Sequence, residues 1–449
     1  MSWGKKAFLF LLIVGLSVCL ILGCSRQPEQ GRKESIEGKT TIEVSVFEGG
    51  FGMDFFLQIA RDYEKMHPDI KVNLWGDPRN AEKLRPRFIA GNPPDVFWGD
   101  LPVWKLVANN QLYPLDEFLE TKAYGQDKKW KDTFYPGILD GLKYNGKFYG
   151  IPTDLSIWVI WYNKGMFEKY GWQVPKTWNE FLQLCENIKR RGIAPLAFQG
   201  RYPGYMAGTL EALFQRIGGL KAVYDAQSLV PGAWKHPAFL ESAKKVRELV
   251  DKGYFQEGFM GMSHTEAQME FVRGKTAMVA CGTWLKTEMS NVLPKDFKMG
   301  CFGYPQVEGG KGDPSVVQVG CAFWCIPQDA KHPKLGADFL KFFTSLENAK
   351  RFVKEKESLL PIIGSDESLP EELSQAVDLV KKANLTWTTK IGQWYPEWQT
   401  EYTNAIAGLL TKELLPEQFV EAVEKAAASV RDNPNIVKHR IEYESEDIQ

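Results

Sequence analysis

Histidine is scarce in this chain, five residues in 449, and none of the five falls in a catalytic motif. No CxxC pair occurs and no histidine stands beside the cysteines at ligand spacing, so the pattern offers no metal centre. An excess of one charge is also missing: the net charge is −1 and there is no long basic run, which argues against a nucleic-acid partner. No phosphate loop is written in either glycine-rich stretch. Glu48-Gly49-Gly50-Phe51-Gly52 lacks the Gly-Lys-Ser/Thr that should follow, and Gly274-Lys275-Thr276 lacks the glycines that should precede it. Internal repeats and long low-complexity tracts are absent. Of the seven cysteines, five lie beyond Cys24, and an odd number leaves at least one thiol free in a monomer. Cys321 and Cys325 fall on one face of an expected strand, about 13 Å apart, beyond disulfide reach. Buried, unreactive thiols are the expectation.

What is present is size, apolar content and many aromatics. A chain of 449 residues with 44% hydrophobic content can bury two cores. Aromatic residues make up 13%, including 15 Trp, more than cores usually need, so some are candidates for a binding surface. At the N-terminus Lys5-Lys6 precede an apolar run, Ala7 to Leu22, ending in Ile21-Leu22-Gly23-Cys24 and then polar residues. This is the layout of a secretory leader. Its end resembles a bacterial lipoprotein box, with Ile21 where Leu is usual and Leu22 where a smaller residue is usual. The resemblance implies cleavage before Cys24 and lipidation of its sulfur. The alternative, an uncleaved anchor, is opposed by a run shorter than the ~20 apolar residues a span needs. Residues 24–40 then read as a solvated tether.

From Thr41 the chain alternates strand and helix signals, as α/β folds do. Ile42, Val44 and Val46 alternate with polar residues, predicting a first strand that ends at Glu48. Asp54 to Met66 carries Phe55, Phe56, Ile59 and Tyr63 on one helical face, and Ile70 to Leu74 forms the next strand. Gly150 to Asp154 is a short crossing whose Pro152 suits a strand end, and the apolar run Ile157–Tyr162 reads as a buried strand. Thr177 and Glu180 stand at capping-box spacing before Phe181, Leu184, Cys185 and Ile188, a helix that stops at Lys189-Arg190-Arg191-Gly192. Val316 to Ile326 is expected as one strand containing Gly320 and Trp324.

Several stretches, in order, resemble the bacterial extracellular solute-binding proteins of ABC sugar importers, the class that includes maltose-binding protein. They include FFLQIARDYEKMHPDIKV, AGNPPDVFWGD, GIPTDLSIWVIWYNKGMF, PKTWNEFLQL, FVRGKTAMVACGTWL and PQDAKHPKLGADFLKFFTS. The resemblance implies a two-lobed α/β fold of the periplasmic-binding-protein type (type II). Each lobe would be a mixed sheet flanked by helices, with three interlobe crossings. The boundaries expected are 1–23 leader, 24–40 tether, 41–153 and 304–362 first lobe, 154–303 and 363–449 second lobe. Gly303-Tyr304-Pro305 is similar to the family's second hinge.

Candidate ligand residues come from strand ends and tryptophans. Glu48 closes a strand where open α/β sheets place ligands. Trp98 beside Asp100 pairs a ring face for C–H surface with a carboxylate for hydroxyl protons. The plainer alternative puts Trp98 in the core and Asp100 at a helix cap. Asp154 sits at the seam between lobes, Tyr202 with Arg201 ends a second-lobe strand, and Gly320 lets backbone approach the cleft. Trp324 could face either ligand or core. The resemblance implies ligand contacts at Trp98, Asp100 and Asp154, and ring stacking by Trp284 and by an aromatic entering the helix near residue 400. For that last position Trp398 matches best and Trp394 next.

The reading is a monomeric binding protein without cofactor, metal or catalytic residues. It would be tethered outside the cytoplasm by lipid at Cys24, take a carbohydrate between its lobes, and deliver it to ABC permease subunits. An envelope glycosidase or lyase using paired carboxylates such as Asp100 and Asp154 is the second reading. A sugar-sensing accessory subunit is the third.

Overall fold

The structure, a computed structural model, describes residues 38–49, 51–144 and 146–441. The leader, Cys24 and nearly all of the tether lie outside the described residues. Thirteen strands are present among the described residues, and their ranges show how the chain is divided. They are β1 (Thr40–Phe47), β2 (Ile70–Asp77), β3 (Val96–Trp98), β4 (Lys143–Tyr144), β5 (Lys147–Phe148), β6 (Ile151–Pro152) and β7 (Ser156–Asn163). Then follow β8 (Ala194–Ala197), β9 (Thr276–Gly282), β10 (Met299–Phe302), β11 (Val317–Gly320), β12 (Phe323–Cys325) and β13 (Thr386–Trp387).

Two mixed sheets result. The first runs β2-β1-β3-β12-β6, with β1 parallel to β2 and β3 and with β12 antiparallel to both its neighbours. The second runs β13-β11-β7-β9-β8, with β10 also pairing to β7. A small β4–β5 hairpin stands apart. The fold is therefore the expected two-lobed α/β architecture.

Local signals explain most elements. In β1, Ile42, Val44 and Val46 are fully buried, as alternation demands. They meet Phe55, Phe56, Ile59 and Tyr63 of the Asp54–Met66 helix in the first-lobe core. In the Trp178–Lys189 helix the Thr177 hydroxyl accepts from the Glu180 amide while the Glu180 carboxylate accepts from the Thr177 amide. Such a box is worth about 1 kcal/mol. In β7, Ile157, Val159 and Trp161 face one core of the second lobe and Ile160 faces the other, so this strand is buried on both sides.

The crossings correct two expectations. The chain does not return to the first lobe at Gly303-Tyr304-Pro305. Tyr304 stays in the second lobe, its hydroxyl 2.9 Å from Thr209 Oγ1 and its carbonyl accepting from Arg216 Nε at 3.2 Å. Nor is 316–326 one strand. It breaks between β11 and β12, which belong to different sheets, so the crossing is Cys321-Ala322. Cys321 and Cys325 accordingly do not share a strand. The five cysteines of the described residues are free; Cys185, Cys281, Cys301 and Cys325 are buried and Cys321 half-buried.

The three links run side by side at the hinge. The Thr153 amide donates to the Ala322 carbonyl at 2.8 Å and the Leu155 amide to the Leu359 carbonyl at 2.6 Å. Between them lies Asp154.

Candidate ligand-binding cleft

A cleft of about 280 Å³ opens where the two sheets approach each other. One wall is Gly137, Ile138 and Asp140 to Leu142 with Phe323, beside the first sheet. The other is Trp158, Gln318 and Trp387–Lys390, from the second. A neighbouring cavity of about 330 Å³ shares Trp158, Gln318 and Trp387 as its partition. Gly320 lies on the floor, and a Cβ there would meet nothing within 4 Å, so backbone faces open space.

Two indoles are seated by glycines. Trp158 lies against Gly208, where a Cβ would come 2.8 Å from the ring. Trp284 follows β9 and lies over Gly282, where a Cβ would run into its ring. Both rings are half-buried, and they stand edge to face with centroids 5.3 Å apart. Tyr205 is 6.3 Å from Trp158 and stacks on His264 at 4.8 Å, extending the aromatic row.

Behind the aromatic wall runs a polar relay. Gln318 Nε2 donates to Thr389 Oγ1 at 3.2 Å, and Thr389 donates to Glu211 Oε2. Gln318 Oε1 and Glu211 Oε1 have no hydrogen-bond partner among the described residues. Glu211 is buried in the Met206–Gly218 helix, and desolvation pushes its carboxyl up to about 7 even though Thr389 favours the ion. Lys390 joins the walls: its Nζ donates to the Asp140 carbonyl at 3.3 Å, and its amide donates to Gln227 Oε1 at 2.7 Å.

Residues 52–350 match the family described as bacterial extracellular solute-binding protein. The chain belongs to that family. Relatives of this solute-binding protein include the diacetylchitobiose binding protein NgcE of Streptomyces coelicolor, 28% identical over 71% of this chain and 68% of its own. The multiple sugar-binding protein of Streptococcus mutans is 28% identical over 92% of this chain and 95% of its own. Among solved structures, a chitin oligosaccharide binding protein superposes with a TM-score of 0.72 at 23% identity, covering 88% of this chain and 100% of the other. The apo-form of RafE from Streptococcus pneumoniae gives 0.72 at 24% identity, covering 88% and 99%. These structures share its fold.

In this solute-binding protein the predicted ligand residues fall into three groups. Gly320 lines the cleft, and Trp284 touches its Trp158 wall. Glu48 and Asp100 lie at the carboxyl edge of the parallel strands of the first sheet, with Asp77 beside Glu48, outside the lining of the cleft. Asp100 accepts from Asn80 Nδ2 at 3.0 Å, and burial raises its carboxyl above the usual range against that bond. It caps no helix. Tyr202 is half-exposed on the turn after β8, also outside the lining.

Four residues are committed elsewhere, and their expected ligand contacts are corrected. Trp98 is 6% exposed and packs on Trp324 and Phe56 in the first-lobe core, where Trp324 is fully buried too. Trp398 has no exposed surface, its ring 5.0 Å from Trp234 and 4.6 Å from Tyr402. Trp394 is 3% exposed because the His439 ring covers it. Asp154 turns into the hinge: it accepts from the Ala322 amide at 3.2 Å, Ser156 Oγ at 3.1 Å and Thr153 Oγ1 at 3.2 Å. Burial raises it to about 6 in spite of those three donors.

Sequence reasoning missed Trp158, Gln318, Trp387 and Glu211. For Trp158 a signal existed: strand alternation sets it with Ser156 and Tyr162, opposite Ile157, Val159 and Trp161. For Glu211 there was none, since nothing local marks a helical carboxylate as buried.

Proposed function

We propose that this solute-binding protein captures a sugar or short oligosaccharide in the cleft between its lobes and delivers it to the permease of an ABC importer. It would work outside the cytoplasm, held by lipid at Cys24. One observation carries the reading: a single cleft walled by both lobes combines flat indole surface at Trp158 and Trp387 with the amide of Gln318 and the hydroxyl of Thr389. Ring faces take the C–H face of a pyranose, and amides and hydroxyls take its hydroxyl groups. The sugar-binding names of the two relatives point the same way.

Side-by-side links at Thr153–Leu155, Cys321-Ala322 and Leu359 support a hinge about which the lobes close on the ligand. Only a ligand that touches both walls favours the closed state, because equal affinity for both states shifts nothing. Glycoside cleavage needs two carboxyl groups flanking one bond. Among the described residues Asp140 is the one carboxylate lining the cleft, which supports binding without chemistry. A thermal-shift screen over a carbohydrate panel tests the proposal, since a bound ligand raises apparent stability by mass action. At least one saccharide should raise the midpoint and bind by calorimetry; a flat response across mono- and oligosaccharides refutes it.

A further inference from the structure

The cavity of about 330 Å³ beside the cleft differs from it in charge. It lies within the second lobe, where β7 loses a neighbour along one edge. β10 pairs with β7 at residues 160–163 and β11 at 156–157, and the chain between β10 and β11 leaves the sheet to form much of the lining. Three cations border this cavity, Lys176, Arg216 and Lys382, and among the described residues no aspartate or glutamate does. The cleft itself has one of each sign, Lys390 and Asp140.

Arg216 is the buried cation, 5% exposed, near the end of the Met206–Gly218 helix. Its Nε donates to the Tyr304 carbonyl at 3.2 Å. Its Nη1 donates to the carbonyls of Asp313 and Val316 at 3.1 and 3.0 Å and to Gln215 Oε1. These acceptors are all neutral, and Arg216 forms no ion pair among the described residues. The Asp313 carboxylate attracts it from a distance, but its oxygens accept from the Ser315 amide and Asn384 Nδ2. Burial lowers the guanidinium to about 10 against that attraction, so the group stays charged at neutral pH. Carbonyl dipoles hold a buried guanidinium in place but leave its unit charge unneutralised. The two lysines add to that charge. Lys176 has no ion-pair partner among the described residues, and Lys382 reaches only Asp378, at 3.9 Å with both side chains exposed.

The cavity also adjoins the surface on which the sugar is placed. Trp158, Gln318 and Trp387 border both spaces, so a pyranose lying on those indoles has the cations beside it. A hydroxymethyl group there gains little from them. A carboxylate or sulfate ester gains charge-assisted hydrogen bonds, about twice as strong as neutral ones.

We propose that this second cavity is an anion subsite, with Arg216 as the principal counter-charge, and that the preferred ligand is an acidic saccharide bearing a uronate or a sulfate ester. This deepens the sugar-binding reading above and rests on it.

Calorimetry on the wild-type chain with matched pairs tests the subsite. Glucose is compared with glucuronate and with glucose 6-sulfate, galactose with galacturonate, and xylo-oligosaccharides with the same chains carrying a glucuronate branch. In at least one pair the acidic member should bind at least about tenfold tighter, and the pair that does so tells carboxylate from sulfate. Equal or weaker binding by the acidic member of every pair overturns the subsite and leaves the sugar-binding reading standing. A chain that binds no member of any pair overturns both. Arg216 also ties the 304–316 loop to its helix, so Arg216→Gln is checked for folding by circular dichroism. In the folded variant the acidic-to-neutral affinity ratio should fall to about one. A double variant of the two exposed lysines, Lys176→Gln with Lys382→Gln, does not touch that tie, and it should cut the ratio at least about threefold. A ratio unchanged in every folded variant overturns the proposal.

Discussion

Trp158 and Trp284 stand edge to face, ring centroids 5.3 Å apart and planes at 89°. Each holds the other upright, so the aromatic wall is one unit rather than two independent plates. An aromatic contact is worth about 1 kcal/mol beyond its buried area. Trp284→Ala should therefore weaken saccharide binding at least about tenfold by calorimetry, in a chain that circular dichroism shows folded. Gly282→Ala should do the same by tilting the ring, since a methyl there collides with it. Unchanged affinity in both variants would remove Trp284 from the site.

The hinge carboxylate gives a pH signature. Asp154 is raised from 3.8 to about 6 by burial, so the folded chain holds this proton more tightly than the unfolded one. The associated stability is present below the unfolded value of 3.8 and is lost as pH rises through about 6. Its size is roughly 3 kcal/mol. In Asp154→Asn this dependence should vanish, and urea denaturation between pH 4 and 7 should give a correspondingly flatter profile. A profile identical to wild type would mean the group does not titrate in that window.

Glu211 behaves likewise over a higher window. Burial raises it from 4.5 to about 7, with the Tyr402 phenol facing it and one carboxyl oxygen unpartnered. Its contribution is complete below 4.5 and lost as pH rises through 7. Glu211→Gln should be more stable than wild type at pH 8, by roughly 3 kcal/mol at most, and close to it at pH 5. Chemical denaturation at the two pH values measures both. A variant less stable at pH 8 would show that the ion is favoured in the fold.

Gly320 tests where the ligand lies. Its Cβ position is open, so Gly320→Ala should leave the thermal midpoint within a few degrees of wild type. Gly320→Leu fills part of the cleft and should abolish saccharide binding at concentrations that saturate wild type. Full affinity in the leucine variant would place the ligand elsewhere.

Some of this was legible in the sequence and some was not, for physical reasons. The Thr177–Glu180 cap and the Ile42, Val44, Val46 alternation are local, and both stand as read. The break at Cys321-Ala322 was not legible. The residues on either side are equally apolar, and membership of a sheet is decided by partners far away in sequence. Trp398 was misread although its periodicity was informative. With Tyr402, Ala405, Ile406 and Leu409 it forms a helical stripe, and such stripes face cores. Trp394 could not have been placed, since what covers it is a residue 45 positions on.

The pairing of β3 with β12 sets Trp98 opposite Trp324. No ribosome can offer β12 to the first sheet until about seven-tenths of the polypeptide has been made, and the other sheet waits longer still for Trp387. Closing such long loops is slow. Until then the open edge of β3 has no strand to pair with, so the first sheet is incomplete in a chain still being made.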